Sequence, residues 1–201
     1  MGFRGSGRIT KTVSEIGKSR LGKMLDFSNN NGNETPYLGN INVRWFSFDL
    51  KEIKNIRVSE REKSLLALEP GDVLVCEGGE PGRCAIWSEE NTNIIFQKAL
   101  HRVRLNTVCL PVWFAFNLKV SADSGRLTDY FTGTTIKHLT GESLQKVKIK
   151  IPSLDEQKEI VLQVHLIFKK FSEIEKYYEN CLDRYNLMSP SVLSMAFCGK
   201  L

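Results

Sequence analysis

No stretch of this chain stays apolar for the roughly 20 residues that a membrane-spanning helix requires, so no membrane partner is expected. There is no GxxxxGK[ST] phosphate loop, no Gly-rich cofactor loop followed by an acidic residue, and no Asn/Asp-Pro-Pro-aromatic tetrad. ATP use and methyl transfer are therefore not expected of the chain itself. Cysteine is sparse: Cys76, Cys84, Cys109, Cys181 and Cys198 are odd in number and lack CxxC spacing. That argues against a disulfide framework and, without a signal peptide, points to free thiols in a reducing cytosol. A zinc site would have to use Cys76, Cys84, His101 and Cys109; buried thiols in strands fit their spacing better. Asp72 and Glu77 lack the nearby lysine of a nuclease metal pair, and a turn followed by a strand accounts for them. Met1-Gly2-Phe3-Arg4-Gly5-Ser6 matches the short myristoylation pattern, but Gly-Arg-Gly-Ser-Gly-Arg reads better as a flexible leader.

Acidic residues are short in the first part only. Of 28 Lys/Arg and 23 Asp/Glu, residues 1–150 hold 22 and 16, and residues 151–201 hold 6 and 7. The positive surplus lies early, where Arg4, Arg8, Lys11, Lys18, Arg20 and Lys23 face only Glu15 and Asp26. A basic surface suits a polyanion, of which DNA and RNA are the common ones. A merely solvated basic surface fits the same totals.

From Ile160 onward a regular apolar ladder appears. Ile160, Val164, Ile167, Phe171, Ile174, Tyr178, Cys181, Tyr185 and Met188 alternate spacings of four and three. This is the period of a helix whose seam meets another helix. Ser153 and Glu156 have capping-box spacing, and Asp155 places negative charge at the positive helix end. One helix over 154–188 would extend roughly 50 Å. Pro190 is expected to interrupt it, with 191–197 as a last short helix. The seam suits an antiparallel partner or a bundle; a terminal helix folded back on its own head is the alternative.

The preceding residues read as α+β with β dominating. Residues 27–36 form a polar loop rich in turn formers. Residues 51–66 fit strand or helix equally. Pro70-Gly71-Asp72 turns into Val73–Cys76, and 84–87 returns, so 72–87 is a hairpin. Residues 93–96 and 100–105 are further strands. Pro111 begins a buried helix over 111–120. Val147, Ile149 and Ile151 alternate with lysines as a half-exposed strand.

Several stretches resemble, in order, the specificity subunits of type I restriction-modification enzymes. Gly71-Asp-Val-Leu-Val-Cys-Glu-Gly-Gly-Glu-Pro-Gly-Arg-Cys-Ala-Ile-Trp87 is similar to the central motif of their target-recognition domains. Gln97-Lys-Ala-Leu-His-Arg-Val-Arg104 resembles the strand region that follows it. Thr132-Gly-Thr-Thr-Ile-Lys-His-Leu139 resembles the segment before the last strand. Ile151-Pro-Ser-Leu-Asp-Glu-Gln-Lys-Glu-Ile160 resembles the entry to the spacer helix, and 191–201 the closing motif; 37–50 match more loosely. Typical members carry two recognition domains and two spacer helices. This chain has one of each and so resembles a half subunit, either a natural half or a fragment. Ending on the closing motif favours a complete C-terminus.

The resemblance implies a target-recognition domain over 1–151 and a helical spacer and dimerisation region over 152–201. It implies a non-catalytic subunit that binds double-stranded DNA in the cytoplasm of a bacterium or archaeon. Partners would be a second copy, methyltransferase subunits and a restriction subunit. S-adenosylmethionine, ATP and Mg would belong to those partner subunits, with no cofactor in this chain. A homodimer joined through the nine ladder residues would read a bipartite target. Two other classes remain open: an assembly module that binds only protein, and the recognition domain of a fused restriction-methylation enzyme.

DNA contacts are expected by residue type, since Arg and Lys meet phosphates while Arg, Asn and Gln read base edges. The candidates are Lys18, Arg20, Lys23, Asn30, Asn33, Arg44, Arg83, Thr134, Lys137 and His138, with Asn29, Asn31 and Thr135 beside them. Glu77 and Glu80 would hold the Gly-rich turn or accept from cytosine.

Overall fold

The computed structural model describes residues 9–24, 32–90 and 93–199. Most of its strands find their partners far along the chain. β1 (Ile9–Thr12) lies antiparallel to β11 (Lys148–Ile151), with Ile9 opposite Ile151 and Lys11 opposite Ile149. Thr12 and Glu15 begin α1 (Val13–Ile16): the Thr12 backbone N–H and hydroxyl both donate to the Glu15 carboxylate, at 2.6 and 2.7 Å. β2 (Gly17–Leu21) then pairs with β10 (Leu100–Leu105). The basic lead-in, which local pattern leaves without structure, is thus two strands and a turn of helix.

β3 (Asn33–Leu38) lies between β6 (Lys54–Val58), antiparallel, and β9 (Ile95–Phe96), parallel. This corrects the expected loop at 27–36, whose residues 33–36 are strand: pairing on both sides satisfies a backbone that turn-forming side chains would leave open. A 3₁₀ turn at Asn40–Asn42 leads into β4 (Val43–Arg44) and β5 (Ser47–Phe48), a hairpin with Trp45 and Phe46 at its tip. The ambiguous stretch 51–66 holds both elements: β6 is followed by α2 (Glu60–Leu66), whose cap Ser59 accepts from the Glu62 N–H at 3.3 Å and donates to its carboxylate.

β7 (Val73–Cys76) and β8 (Cys84–Ile86) form the expected hairpin within a four-stranded sheet ordered β2-β10-β7-β8. Successive side chains of a strand point to opposite faces. Leu74 and Cys76 join Leu38, Trp87, Phe96 and Leu100 in one core, while Val73 and Val75 point the other way and are also buried. β7 reads as an unbroken apolar run because the sheet is covered on both faces.

α3 (Pro111–Asp123) begins with proline at its first turn and buries Trp113, Phe114, Ala115 and Leu118. The Trp113 indole N–H donates to the Lys150 carbonyl at 2.9 Å, fastening α3 to β11. After a 3₁₀ turn at Arg126–Tyr130 comes α4 (Gly141–Lys146), capped by Thr140. In β11, Ile149 and Ile151 are buried between exposed lysines, as the alternation implies.

α5 (Leu154–Phe197) ends the chain. Ser153 Oγ accepts from the Glu156 N–H at 3.2 Å. The helix continues through Pro190, contrary to the expected interruption. A proline costs a helix one N–H and one carbonyl contact, and here the carbonyl set free is that of exposed Asn186, which water can satisfy. At about 1.5 Å per residue the helix spans roughly 66 Å. The fold class is α+β, a β-rich domain followed by a long C-terminal helix. Contacts divide the chain into two compact units, Met1–Gln157 and Lys158–Leu201. Among the described residues, no helix is long and apolar enough to cross a membrane.

Candidate nucleic-acid interface

Two groups of the expected DNA-contact residues come together on the first unit. The register of β2 on β10 sets Lys18 opposite Arg104 and Arg20 opposite Arg102. Cross-strand neighbours stand about 5 Å apart, so four cations crowd one sheet face and line a cleft of ≈ 470 Å³ together with Ser19 and Gln145. One buried carboxylate organises it. Asp72 accepts from Arg104 Nε at 2.7 Å and Nη2 at 2.8 Å, and lies 4.0 Å from Arg102 Nε. Asp72 also accepts from the Glu69 N–H at 2.8 Å, and Glu69 takes a third Arg104 contact at 2.7 Å. Arg102 donates to the Ala67 carbonyl at 2.6 Å and sits 5.7 Å from the Phe96 ring centroid. Burial pushes the Arg102 pKa down, and the positive charges of Arg104 and Arg20 push the same way; Asp72 opposes them. Lys18 and Arg20 are exposed and have no ion pair or hydrogen bond among the described residues.

The second group is an edge made by three loops. The Asn40 side chain donates to the Gly78 carbonyl at 2.8 Å, and Arg83 Nη2 donates to the Asn40 carbonyl at 3.0 Å. The Leu139 N–H donates to the Glu77 carbonyl at 2.7 Å. The imidazole of His138 lies against Gly78, where an added Cβ would come within 3.1 Å of Nδ1. Segments 39–46, 77–83 and 132–138 are therefore tied into one edge. The Glu77–Gly82 turn depends on glycine at its end: Gly82 has φ +92°, and a Cβ there would meet Leu127 at 2.3 Å.

Arg83 is part of this scaffold, its side chain mostly buried and its second nitrogen 3.1 Å from Glu80. Arg44, Thr134, Lys137 and His138 are exposed on the same edge. Arg44 reaches Asp49 at 3.6 Å, and Lys137 donates to the Gly133 carbonyl at 2.9 Å. At the hairpin tip the Trp45 indole donates to Glu80 at 2.5 Å, and Lys119 lies 5.2 Å from the Trp45 ring centroid. Phe46 has φ +64°, a conformation that bulky residues adopt only under strain, and its ring meets Phe116 edge-on at 5.4 Å while remaining exposed. This tip was not visible in the sequence; no motif distinguishes Trp45-Phe46 from core aromatics.

The other candidates lie apart. Lys23 is paired with Glu62, and Asn33 donates to Glu60 at 3.1 Å. Asn30, with Asn29 and Asn31, lies outside the described residues. On the second unit, Ile160 and Val164 are half-buried, and Ile167, Phe171, Ile174, Tyr178, Cys181, Tyr185 and Met188 are exposed. Cys76, Cys84 and Cys109 are buried and free. Burial pushes the Cys76 thiol up to about 11 and the Cys109 thiol up to about 12. Among the described residues no group of three or more His, Cys, Asp or Glu is placed to hold a metal ion.

His101 is buried in β10 with Nε2 at 3.0 Å from the Leu139 carbonyl, so its neutral form donates there. Burial holds its pKa below the ordinary value near 6.5, with Glu77 and the Leu139 contact opposing more weakly. The unfolded chain therefore takes up this proton first as pH falls. The stability that neutral His101 supplies is complete above about pH 6.5 and is lost below it, with a slope of at most about 1.4 kcal/mol per pH unit. Urea midpoints should fall between pH 7.5 and 5.5 in wild type and stay flatter in His101→Gln. Equal slopes in both would refute this role.

A family model described as the type I restriction modification DNA specificity domain matches residues 9–182. The chain belongs to this family. Its match begins in β1 and ends within α5, so both units take part. The EcoKI specificity subunit of Escherichia coli strain K12 is 28% identical over 179 residues, covering 86% of this chain and 39% of that protein. The EcoBI specificity subunit of Escherichia coli is 30% identical over 131 residues, covering 65% and 27%. Among solved structures, a chain from work on complex assembly and conformational transition of the type I R-M system superposes with a TM-score of 0.73 at 18% identity, covering 100% of this chain and 49% of that one. The HsdS subunit from Thermoanaerobacter tengcongensis gives 0.66 at 20% identity, covering 97% and 46%. These structural likenesses show the fold. The chain spans half or less of the length of these relatives.

Proposed function

We propose that the chain is a non-catalytic DNA-recognition module of a type I restriction-modification system. The observation that carries this reading is the family match, which runs from the first strand of the recognition unit into the long helix. The three-loop edge supplies exposed Arg44, Thr134, Lys137 and His138 for base and backbone contact, with Arg83 holding the loops in place. Rigid sheet ends carrying polar loops are where recognition residues are well positioned. Lys18, Arg20, Lys23, Asn30 and Asn33 complete the proposed contact set. The recognition domain would occupy 1–151 and the spacer 152–201.

In this reading the module pairs with a second copy through the α5 ladder, Ile160 to Met188, and reads two half-sites separated by an unread gap. Successive major-groove half-sites on one face of B-DNA lie about 34 Å apart, within the reach of a helix of roughly 66 Å. Two-fold symmetry would make the target a split palindrome. Methyltransferase and restriction subunits would supply S-adenosylmethionine, ATP and Mg chemistry. The module would act in the cytoplasm.

The test uses duplexes carrying the motif found methylated in a host with the gene. Anisotropy at fixed salt should show a preference over scrambled duplex of at least about 1,000-fold. Equal affinity for both would overturn DNA recognition. For pairing, light scattering should give a dimer at micromolar concentration. Phe171→Asp with Ile174→Asp should weaken that dimer at least about 100-fold, since each copy would carry two charges into an apolar seam. A wild-type monomer would remove the homodimer from this reading.

A further inference from the structure

The cleft between β2 and β10 is a second, distinct contact surface. It lies on a sheet face, whereas the loop edge is built by segments 39–46, 77–83 and 132–138. Its charge is unbalanced among the described residues: of four cations, only Arg102 and Arg104 meet carboxylates, buried Asp72 and the exposed Glu69 at the rim. The inner pair is fixed. Arg104 uses three of its five N–H donors on Asp72 and Glu69, and a guanidinium carries five in a rigid fork. Its other donors stay available without a rotamer search. The outer pair, Lys18 and Arg20, is exposed and has no protein partner among the described residues. Gln145 Nε2, which donates to the Ser19 hydroxyl at 3.2 Å, is a neutral donor at the rim. Positioned guanidiniums and an ammonium in an open cleft match the oxygens of a phosphate group.

We propose that this cleft holds a backbone phosphodiester of bound duplex, with Lys18 and Arg20 as its direct ligands and Asp72 as the positioning residue that presents Arg104. The inference rests on the DNA-recognition reading and adds a division of labour. The sheet face supplies sequence-independent affinity, and the loop edge supplies selectivity.

Each phosphate contact contributes about 0.9 to the slope of log affinity against log salt. The probe is a 30-base-pair duplex of arbitrary sequence, with the full chain titrated between 50 and 200 mM salt. Lys18→Gln with Arg20→Gln removes that one phosphate contact and should lower the slope by about 1, leaving the cognate-to-scrambled ratio unchanged. Lys169→Gln with Lys176→Gln, on the helix, makes the same change in net charge and should keep the wild-type slope. A thermal melt checks that each variant folds. An unchanged slope in the Lys18/Arg20 variant overturns the cleft, as does an equal fall in the helix control. Inorganic phosphate bound by wild type but lost in the Lys18/Arg20 variant, with the DNA slope unmoved, would assign the cleft to a free anion and also overturn the proposal. If wild type binds no duplex at all, the proposed function fails and the cleft assignment fails with it.

Discussion

Asp72→Ala should destabilise the recognition unit by about 3 kcal/mol, at the low end of what breaking a buried ion pair costs. Asp72 is 1% exposed and holds two guanidiniums and the Glu69 N–H. Removing it leaves Arg102, whose side chain is 12% exposed, without its counter-charge. The Arg104 side chain is 39% exposed and recovers part of its solvation from water, which keeps the loss near 3 rather than 5. Asp72→Asn retains an acceptor for the Glu69 N–H and should lose less. Urea unfolding read on both variants tests this; a loss below about 1 kcal/mol for Asp72→Ala would show that the cations do not depend on it. The function follows from the same geometry. A destabilised Asp72 variant that still folds should bind duplex with a disordered Arg104 and a lower salt slope.

Gln157→Leu should cost a similar amount, about 3 kcal/mol, although the side chains are close in volume. Gln157 is wholly buried at the start of α5. Its Oε1 accepts from the Leu110 N–H at 2.9 Å, and its Nε2 donates to the carbonyls of Val108 at 2.9 Å and Pro152 at 3.0 Å. Leucine strands all three backbone groups, each at roughly 1–3 kcal/mol when no water reaches it; Val108 is an exposed residue, which puts the expected sum at the low end. For a unit of this size the melting temperature should fall by about 6–12 °C. Gln157→Glu keeps the acceptor but loses both donors and introduces a charge, so it should be no better. A leucine variant melting within 2 °C of wild type would refute this role. The residue fastens the first turn of α5 to the entrance of α3, so its loss should loosen the root of the helix before the sheets.

Legibility in the sequence tracked the range of the interactions. The 72–87 hairpin, the proline start of α3, the lysine-alternating β11 and the Ser153 cap are set by neighbours within a few residues, and those signals read correctly. β1 and β2 were missed because their partners come some 80 to 140 residues later. From local sequence β3 reads as loop because Asn33 and Pro36 favour turns; β6 and β9 override that preference by pairing on both sides. Arg102 and Arg104 looked like ordinary strand cations. Only the register that sets them opposite Arg20 and Lys18 makes a cleft. Gln157 looked like one polar position among several on an amphipathic helix.

By itself, the sequence determined the family, the α+β class and the long apolar-seamed helix, because motif order and helical period are written along the chain. Tertiary structure alone decided which cations face one another, which of them the fold uses and which remain open. Arg83 and Lys23 went to internal partners; Lys18 and Arg20 have none among the described residues. The reason is physical. A guanidinium's role depends on the nearest carboxylate in space, and Asp72 is 32 positions from Arg104 in the chain yet 2.7 Å away in the fold.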